Sequence, residues 1–228
     1  MEPIRGEQPR DGFLNRVIDM ARQCGAVSVI DEISAALRMN TGGAHLMFEV
    51  EPDIAVFSKA LGNGYPIAAI VGRSEVMEAA QTTFISSTYW TERIGPSAAI
   101  ATINKHQQID AGPHLMSIGE KVQAGWRRVA DQTGLAINIG GIPPLSHFSF
   151  EGNDAMEVKA LFVQMMLAEG FLASTSFYSM APHTNEHVEQ YLAAVKRTFA
   201  EITDLRGRGE VASNLLGSPA VAGFKRLA

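Results

Sequence analysis

The sequence predicts an α/β fold with a mostly parallel sheet, followed by a smaller α+β region. Residues 27–30 and 54–57 are short apolar runs with β-branched side chains, which is typical of buried strands in a parallel sheet. An amphipathic segment at residues 11–25 precedes the first run, so helix and strand alternate as such a sheet requires. Beyond residue 110 the pattern of apolar runs and helical segments changes to that of an α+β region.

Caps, breakers and apolar spacing predict the individual elements. Asp11 or Gly12 is expected to cap the first helix, and Gly25 to end it. Gly112 and Pro113 are expected to break the chain between two later helices. The further predicted elements are strand 66–72, helix 75–80 capped by Ser74, helices 96–109 and 114–133, strands 135–139 and 145–150, helix 154–169, strand 171–174, and helix 185–202 capped by Thr184 or Asn185.

The composition is that of an ordinary globular protein. The chain has 228 residues, of which 46% are hydrophobic and 19% charged, and its formal net charge is −5. That charge argues against nucleic acid or an anionic membrane surface as the main partner, and no apolar run reaches the roughly 18 residues of a membrane helix. The single cysteine, Cys24, excludes an intrachain disulfide and fits a reducing compartment, so we expect a cytoplasmic protein.

An acid and an amine follow the first two predicted strands. Asp31 comes directly after the first apolar run, and Lys59 comes shortly after the second. Ligands of open α/β sheets bind beyond the carboxyl ends of the strands, so both side chains are expected at the same edge. Pyridoxal phosphate chemistry needs such a pair, because a lysine binds the cofactor and a carboxylate keeps its ring nitrogen protonated. For an isolated pair, a helix-capping aspartate and a surface lysine are the commoner explanations.

The longer segment, residues 31–66, resembles the central segment of the class III aminotransferases without a gap. These are fold-type I pyridoxal phosphate enzymes that include glutamate-1-semialdehyde 2,1-aminomutase. The resemblance implies the C-terminal half of a fold-type I large domain, residues 1–109, followed by a small α+β C-terminal domain, residues 110–228. The matching landmarks are Asp31, Glu32 and Ile33, then Arg38, the turn Gly42-Gly43-Ala44, Pro52 and Asp53, Lys59, and the turn Gly62-Asn63-Gly64-Tyr65-Pro66.

The resemblance implies a role for each residue at this edge. Lys59 corresponds to the lysine that forms the Schiff base with pyridoxal 5′-phosphate, and Asp31 to the partner of the ring nitrogen. Ile33 is expected to pack on one face of the ring. Ser34 stands where the family commonly has a glutamine that reaches the ring hydroxyl, and its side chain is shorter.

A fifth candidate lies in residues 82–96. Counting back from Pro96 places Thr91 at the position of a family threonine that crosses a dimer interface to bind the cofactor phosphate of the partner subunit. Thr88 is the second candidate for that role. Trp90 is then expected near the substrate entrance or the interface. The resemblance therefore also implies a homodimer.

Residues 2–6 resemble an interior segment of the family, so the chain is interpreted as the C-terminal part of such an enzyme. The family's phosphate-binding loop and its ring-stacking aromatic residue have no counterpart in this sequence. A sheet that lacks some of its strands leaves apolar faces uncovered, so we expect the chain alone to aggregate or to form oligomers.

Two classes of function remain open from the sequence. The first is an enzyme that transfers an amino group between a small amino donor and an acceptor, or within one substrate as an aminomutase does. We favour the transaminase, because residues 82–96 depart from the aminomutase pattern. The second class is a catalytically inactive remnant that binds the cofactor weakly or not at all. The histidines lack the spacing of a metal site, so we expect no metal.

Overall fold

The computed structural model of the chain describes residue 3, residues 8–89 and residues 91–219. These residues form two compact units, Met1–Met116 and Ser117–Ala228. The family-like segment at residues 2–6, apart from Pro3, lies outside the described residues, as do Trp90 and the closing residues 223–228. Among the helices of the described part, none is long and apolar enough to cross a membrane.

The first unit is built on a three-stranded sheet with the order β1-β2-β3. β1 (Val29–Asp31) pairs in parallel with β2 (Ile54–Phe57), and β2 pairs antiparallel with β3 (Ala69–Gly72). The third strand thus departs from the mostly parallel sheet that the sequence predicted. The reason is the connection: residues 58–68 join β2 to β3 and contain only the one-turn 3-10 helix Lys59–Leu61, whereas a parallel pairing usually needs a crossover through an α-helix.

Four α-helices have residues in the described part of the first unit. They are α1 (Phe13–Gln23), α2 (Ser74–Met77), α3 (Ile94–Gln108) and α4 (Ala111–Thr133). Gly12 holds the N-cap position of α1, and Gly25 follows its end in the left-handed conformation, as the sequence predicted. The first unit has a small apolar core in which Leu37, Leu61 and Ala99 are buried.

Two predicted helix boundaries of the first unit are wrong. Ser74 does not cap α2, because Arg73 is the extended N-cap residue and its carbonyl oxygen accepts from the backbone N–H groups of Val76 and Met77. Gly112 and Pro113 do not break the chain, since both lie in the first turn of α4. Proline is tolerated in a first turn, where its missing N–H has no partner to lose. The break lies instead at Asp110, whose φ is +46°.

A polar contact ties the loop after β1 to α3. His106 of α3 is 8% exposed, and its Nδ1 lies 2.8 Å from the Thr41 hydroxyl oxygen. Burial lowers the pKa of His106, and the nearby backbone of Leu37 and the charge of Asp110 only partly offset this effect. The imidazole is therefore held neutral inside the fold.

The second unit is an antiparallel sheet packed against helices. Its strands are β4 (Ile137–Gly140), β5 (Leu145–Phe150) and β6 (Ser176–Tyr178), in that order across the sheet. α5 (Ala155–Ala168) packs on β5 and α6 (Asn185–Arg208) packs on α5.

The predicted cap of α6 is confirmed, while the helix ends later in the chain than predicted. The Thr184 hydroxyl accepts from the His187 backbone N–H, and the His187 side chain accepts from the Thr184 backbone N–H. α6 continues to Arg208, past the predicted end at residue 202, and Gly209 closes it in the left-handed conformation.

The strand predicted at residues 171–174 is wrong. The Phe171 N–H donates to the Met166 carbonyl oxygen, and the Gly170 N–H donates to the Leu167 carbonyl oxygen, so these residues complete the end of α5. Gly170 has a φ of +86°, which suits a residue that closes a helix. The strand forms later, at β6.

The core of the second unit is a cluster of aromatic rings packed edge to face. Trp126 and Phe148 are 4.8 Å apart between ring centroids, and both are at most 2% exposed. The Trp126 Nε1–H donates to the Tyr191 hydroxyl oxygen at 3.0 Å. Burial raises the pKa of Tyr191, and the hydrogen bond from Trp126 offsets part of that rise. The other members of the cluster are Phe150, Phe162, Phe177 and Phe199.

We predict that Tyr191→Phe destabilises the second unit by about 1–3 kcal/mol, because it leaves the buried Trp126 N–H without a partner. Denaturant unfolding followed by Trp fluorescence measures the change. Tyr178→Phe is the matched control, since Tyr178 is 59% exposed and water can replace its hydroxyl contacts. Equal effects of the two substitutions would contradict the prediction.

We predict that the first unit loses stability as the pH falls from 7 to 5. The pKa of His106 is lowered in the folded chain, so the unfolded chain binds a proton first as the pH falls through the ordinary value near 6.5. Stability contributed by the neutral imidazole is thus present above that pH and is lost below it. Urea unfolding at several pH values measures the slope, and His106→Gln should reduce it. An unchanged slope in this variant would show that other groups cause it.

Candidate active site

The parallel pairing of β1 with β2 brings Asp31 and Lys59 to one edge of the sheet. In the register of this pair Asp31 lies opposite Val56, and Lys59 follows two residues after the end of β2 at Phe57. Because parallel strands end at the same edge, the carboxylate at the end of β1 and the amine just after β2 belong to the same edge of the sheet. Both residues are exposed.

The turn after β1 is fixed by local hydrogen bonds. The Asp31 Oδ1 atom accepts from the Ile33 backbone N–H at 2.9 Å, and the Ala36 N–H donates to the Glu32 carbonyl oxygen at 2.9 Å. Ile33 and Ser34 are half-buried on this turn. The side chains expected to contact the cofactor ring are thus carried by a short turn with few free torsions.

Lys59 has an unusual backbone conformation. Its φ is +47°, in the left-handed region that a residue with a side chain adopts at a cost of about 1–3 kcal/mol. The Ser58 hydroxyl donates to the Ile67 carbonyl oxygen at 2.8 Å and fixes the preceding residue. The Lys59 Nζ donates to the Ser34 hydroxyl oxygen at 2.5 Å. Strain of this kind clusters at functional sites, which makes Lys59 a candidate independently of its residue type.

The glycine-containing turn after Lys59 leaves no room for a side chain at Gly62. A Cβ atom at Gly62 would lie 2.1 Å from the Tyr65 carbonyl oxygen, which only glycine avoids. A Cβ atom at Gly95 would lie 3.2 Å from the Pro66 carbonyl oxygen. The first turn of α3 therefore packs against the turn that follows Lys59.

A buried carboxylate, Glu32, lies next to Asp31; the sequence resemblance included this residue but implied no role for it. The Glu32 side chain is fully buried and accepts from the Ala44 N–H at 2.9 Å and the His45 N–H at 2.8 Å. The His45 Nδ1 lies 2.7 Å from the same carboxylate and donates a third hydrogen bond. His45 is itself 8% exposed. These contacts anchor the end of β1 to the loop at residues 43–45.

Asp53 anchors the other end of the same strand pair. Its Oδ2 atom accepts from the Ser28 backbone N–H at 2.8 Å and from the Ser28 hydroxyl at 2.7 Å. These bonds from Ser28 lower the pKa of Asp53, with a smaller contribution from the charge of Arg73. The carboxylate therefore stays ionised and holds the start of β1 to the start of β2.

Thr91 lies exposed in the turn before α3, and its role in phosphate binding stays a prediction. The neighbouring Glu92 bonds through its carboxylate to the backbone N–H groups of Ile94 and Gly95. Two of the N–H groups that a helix start offers to an anion are thus occupied by the chain's own side chain. This contact could not be predicted from the sequence, because Glu92 precedes the N-cap residue Arg93 and is not among the usual capping side chains.

The edge fits the ring of pyridoxal phosphate better than it fits the phosphate. An amine, an exposed carboxylate and a half-buried apolar side chain match the aldehyde, the ring nitrogen and one ring face. The N–H groups at the start of α3 do not fit the phosphate while Glu92 occupies them. Phosphate binding at Thr91 would therefore use the threonine hydroxyl.

Comparison with known proteins identifies the family of this chain. The family described as aminotransferase class III matches residues 1–176 of this chain. The chain belongs to that family. The 3-aminobutyryl-CoA aminotransferase of Cloacimonas acidaminovorans is 31% identical over 202 residues, which cover 86% of this chain and 49% of the relative. A glutamate-1-semialdehyde 2,1-aminomutase of Clostridium botulinum is 29% identical, with 86% and 52% covered.

Solved structures share the fold. The FumI protein of Sphingopyxis sp. MTA144, solved in its PLP internal aldimine form, superposes with a TM-score of 0.80 at 23% identity, over 90% of this chain and 51% of that one. An omega-transaminase from Sphaerobacter thermophilus gives a TM-score of 0.74 at 20% identity, over 87% and 50%. The predicted α/β fold of fold-type I transferases is confirmed. The chain spans about half the length of the curated relatives it matches.

We predict that Glu32→Gln destabilises the first unit by at least about 2 kcal/mol, because a buried amide replaces the charge that three donors share. Urea unfolding of the whole chain measures the change. Glu169→Gln is the matched control, since Glu169 pairs with Arg197 at the surface and water screens that pair. A loss at position 32 no larger than that of the control would refute the anchoring role.

Proposed function

We propose that this chain provides the lysine and the ring-binding carboxylate of a pyridoxal-phosphate-dependent transaminase. The observation that carries the proposal is the position of Asp31 at the end of β1 and of Lys59 just after the end of β2, its parallel neighbour. The strained backbone of Lys59 and the membership of class III aminotransferases support it. The substrates would be a small amino donor and a keto or aldehyde acceptor.

Each residue of the edge has a chemical task in this proposal. Pyridoxal phosphate, when bound, supplies an electron sink for the substrate carbon next to the amino group. Lys59 would hold its aldehyde carbon, and Asp31 would keep a proton on the ring nitrogen. Ile33 would cover one ring face, while Ser34 would contact the cofactor end that Lys59 holds. Once free, the Lys59 amine can accept and return a proton as general base and acid.

The assembly and the chain's division are also proposals. The expected position of Thr91 at a phosphate of a partner subunit supports a homodimer. We propose residues 1–109 as part of the cofactor-binding domain and residues 110–228 as the small domain. A cytoplasmic location would suit the single cysteine, Cys24, which is exposed. Transamination is favoured over amino transfer within one substrate, because residues 82–96 depart from the aminomutase pattern.

We predict that Lys59→Ala abolishes covalent binding of pyridoxal phosphate, because the substitution removes the amine that holds the aldehyde. Titration of the purified chain with the cofactor, followed by the absorbance band of lysine-bound pyridoxal phosphate and by borohydride trapping, measures this. Lys105→Ala is the matched control, since Lys105 is an exposed lysine on α3 of the same unit.

The result on the unmodified chain tests the proposal itself. Trapped cofactor on Lys59, lost in Lys59→Ala and kept in Lys105→Ala, would support it. Equal trapping on both lysines would indicate ordinary surface reactivity and would overturn the assignment of Lys59. No trapping at all would favour the inactive remnant.

A further inference from the structure

The Ser34 hydroxyl is a rigidly held hydrogen-bond acceptor. Ser34 lies on the turn that follows β1. Two hydrogen bonds fix this turn: the Ile33 N–H donates to the Asp31 carboxylate, and the Ala36 N–H donates to the Glu32 carbonyl oxygen. The Glu32 carboxylate, with its three donors, prevents the start of that turn from shifting. The backbone at Ser34 thus has a defined place at the edge of the sheet, and one side-chain torsion sets the position of the hydroxyl oxygen.

The Lys59 amine is the flexible partner in this contact. Four torsions separate its Nζ from a backbone that is itself fixed by the left-handed φ of +47° and by the Ser58–Ile67 hydrogen bond. An exposed lysine side chain samples many rotamers, and most of them point the amine away from the edge. The bond of 2.5 Å to Ser34 selects those that keep the amine beside the turn that carries Asp31.

We propose that Ser34 is a positioning residue that holds the Lys59 amine at the edge of the sheet before the cofactor binds. The proposal rests on the proposed function, because only an aldehyde placed by that edge benefits from a placed amine. Holding the nucleophile in one geometry converts an encounter of two mobile groups into a local reaction.

A short hydroxyl side chain suits this role. Serine has one torsion that moves its oxygen, so ordering the pair costs less entropy than it would with a long amide side chain such as glutamine. By the family resemblance, a glutamine at this position would contact the cofactor ring. The structure assigns to Ser34 a contact with the lysine itself. Threonine keeps the hydroxyl and alanine removes it, which gives a matched pair of variants.

Labelling with two different aldehydes distinguishes a Ser34 that only restrains the Lys59 amine from one that also orients it. Formaldehyde with cyanoborohydride methylates the cofactor-free chain without being placed by any protein group. Pyridoxal phosphate with borohydride labels whichever amine its bound ring meets. For each reagent, mass spectrometry of peptides gives the ratio of labelling at Lys59 to labelling at Lys105. Far-UV circular dichroism verifies that each variant folds.

In Ser34→Ala we expect the formaldehyde ratio to rise and the pyridoxal phosphate ratio to fall. Each change should be about two- to tenfold, the size that one hydrogen bond of ordinary strength produces. Ser34→Thr should behave as the unmodified chain does with both reagents. A role that is only structural would change both ratios in the same direction.

The outcomes distinguish this inference from the proposed function. The positioning role is overturned if Ser34→Ala leaves the formaldehyde ratio unchanged. It is also overturned if Ser34→Thr changes the labelling ratios as Ser34→Ala does. A rise with both aldehydes also overturns it, because Ser34 would then restrain the amine without orienting it. Pyridoxal phosphate that labels Lys59 no better than Lys105 in the unmodified chain overturns the proposed function, while the formaldehyde ratios still decide the contact between Ser34 and Lys59.

Discussion

The buried carboxylate of Glu32 is the contact on which the candidate site depends. A buried charge is tolerated only where donors surround it, and here two backbone N–H groups and the His45 ring converge on it. The donors come from a loop 12 and 13 residues further along the chain. This loop is thereby fastened to the end of β1, and the residues on either side of Glu32 are placed by it.

The opposite end of the strand pair is fastened in the same manner. Asp53 bonds to both the backbone and the hydroxyl of Ser28 where the strand pair starts, and the Glu32 backbone N–H donates to the Val56 carbonyl oxygen where the pair ends. A short parallel pair has little intrinsic stability of its own. Two carboxylates that bond to the neighbouring segment therefore do what strand length does in a larger sheet, and they hold Asp31 and Lys59 at one edge.

The sequence predicted those parts of the fold that local patterns encode. β2 and β5 have the bounds expected, because β2 is an apolar run and β5 follows directly after a turn that contains Pro143 and Pro144. The strand expected at residues 171–174 does not form, because the chain there completes the end of α5 through backbone hydrogen bonds. A short apolar segment has the same appearance in the sequence whether it forms a strand or ends a helix. The polar contacts of Glu32 could not be predicted, since its partners are backbone groups of a distant loop. Ser34 was expected to contact the ring, and its hydrogen bond with Lys59 is seen only in the structure.

The adjacent acids Asp31 and Glu32 show why one residue of register matters at this edge. Successive side chains of a strand point to opposite faces, and here the first acid is exposed while the second is fully buried. A slip of one residue would bury the shorter carboxylate away from its donors and expose the longer one at the edge. The three donors therefore select the register as well as stabilising it. The same register leaves Asp31 exposed beside the turn on which Ser34 contacts Lys59. The fold and the proposed chemistry therefore depend on the same two adjacent acids, Asp31 and Glu32.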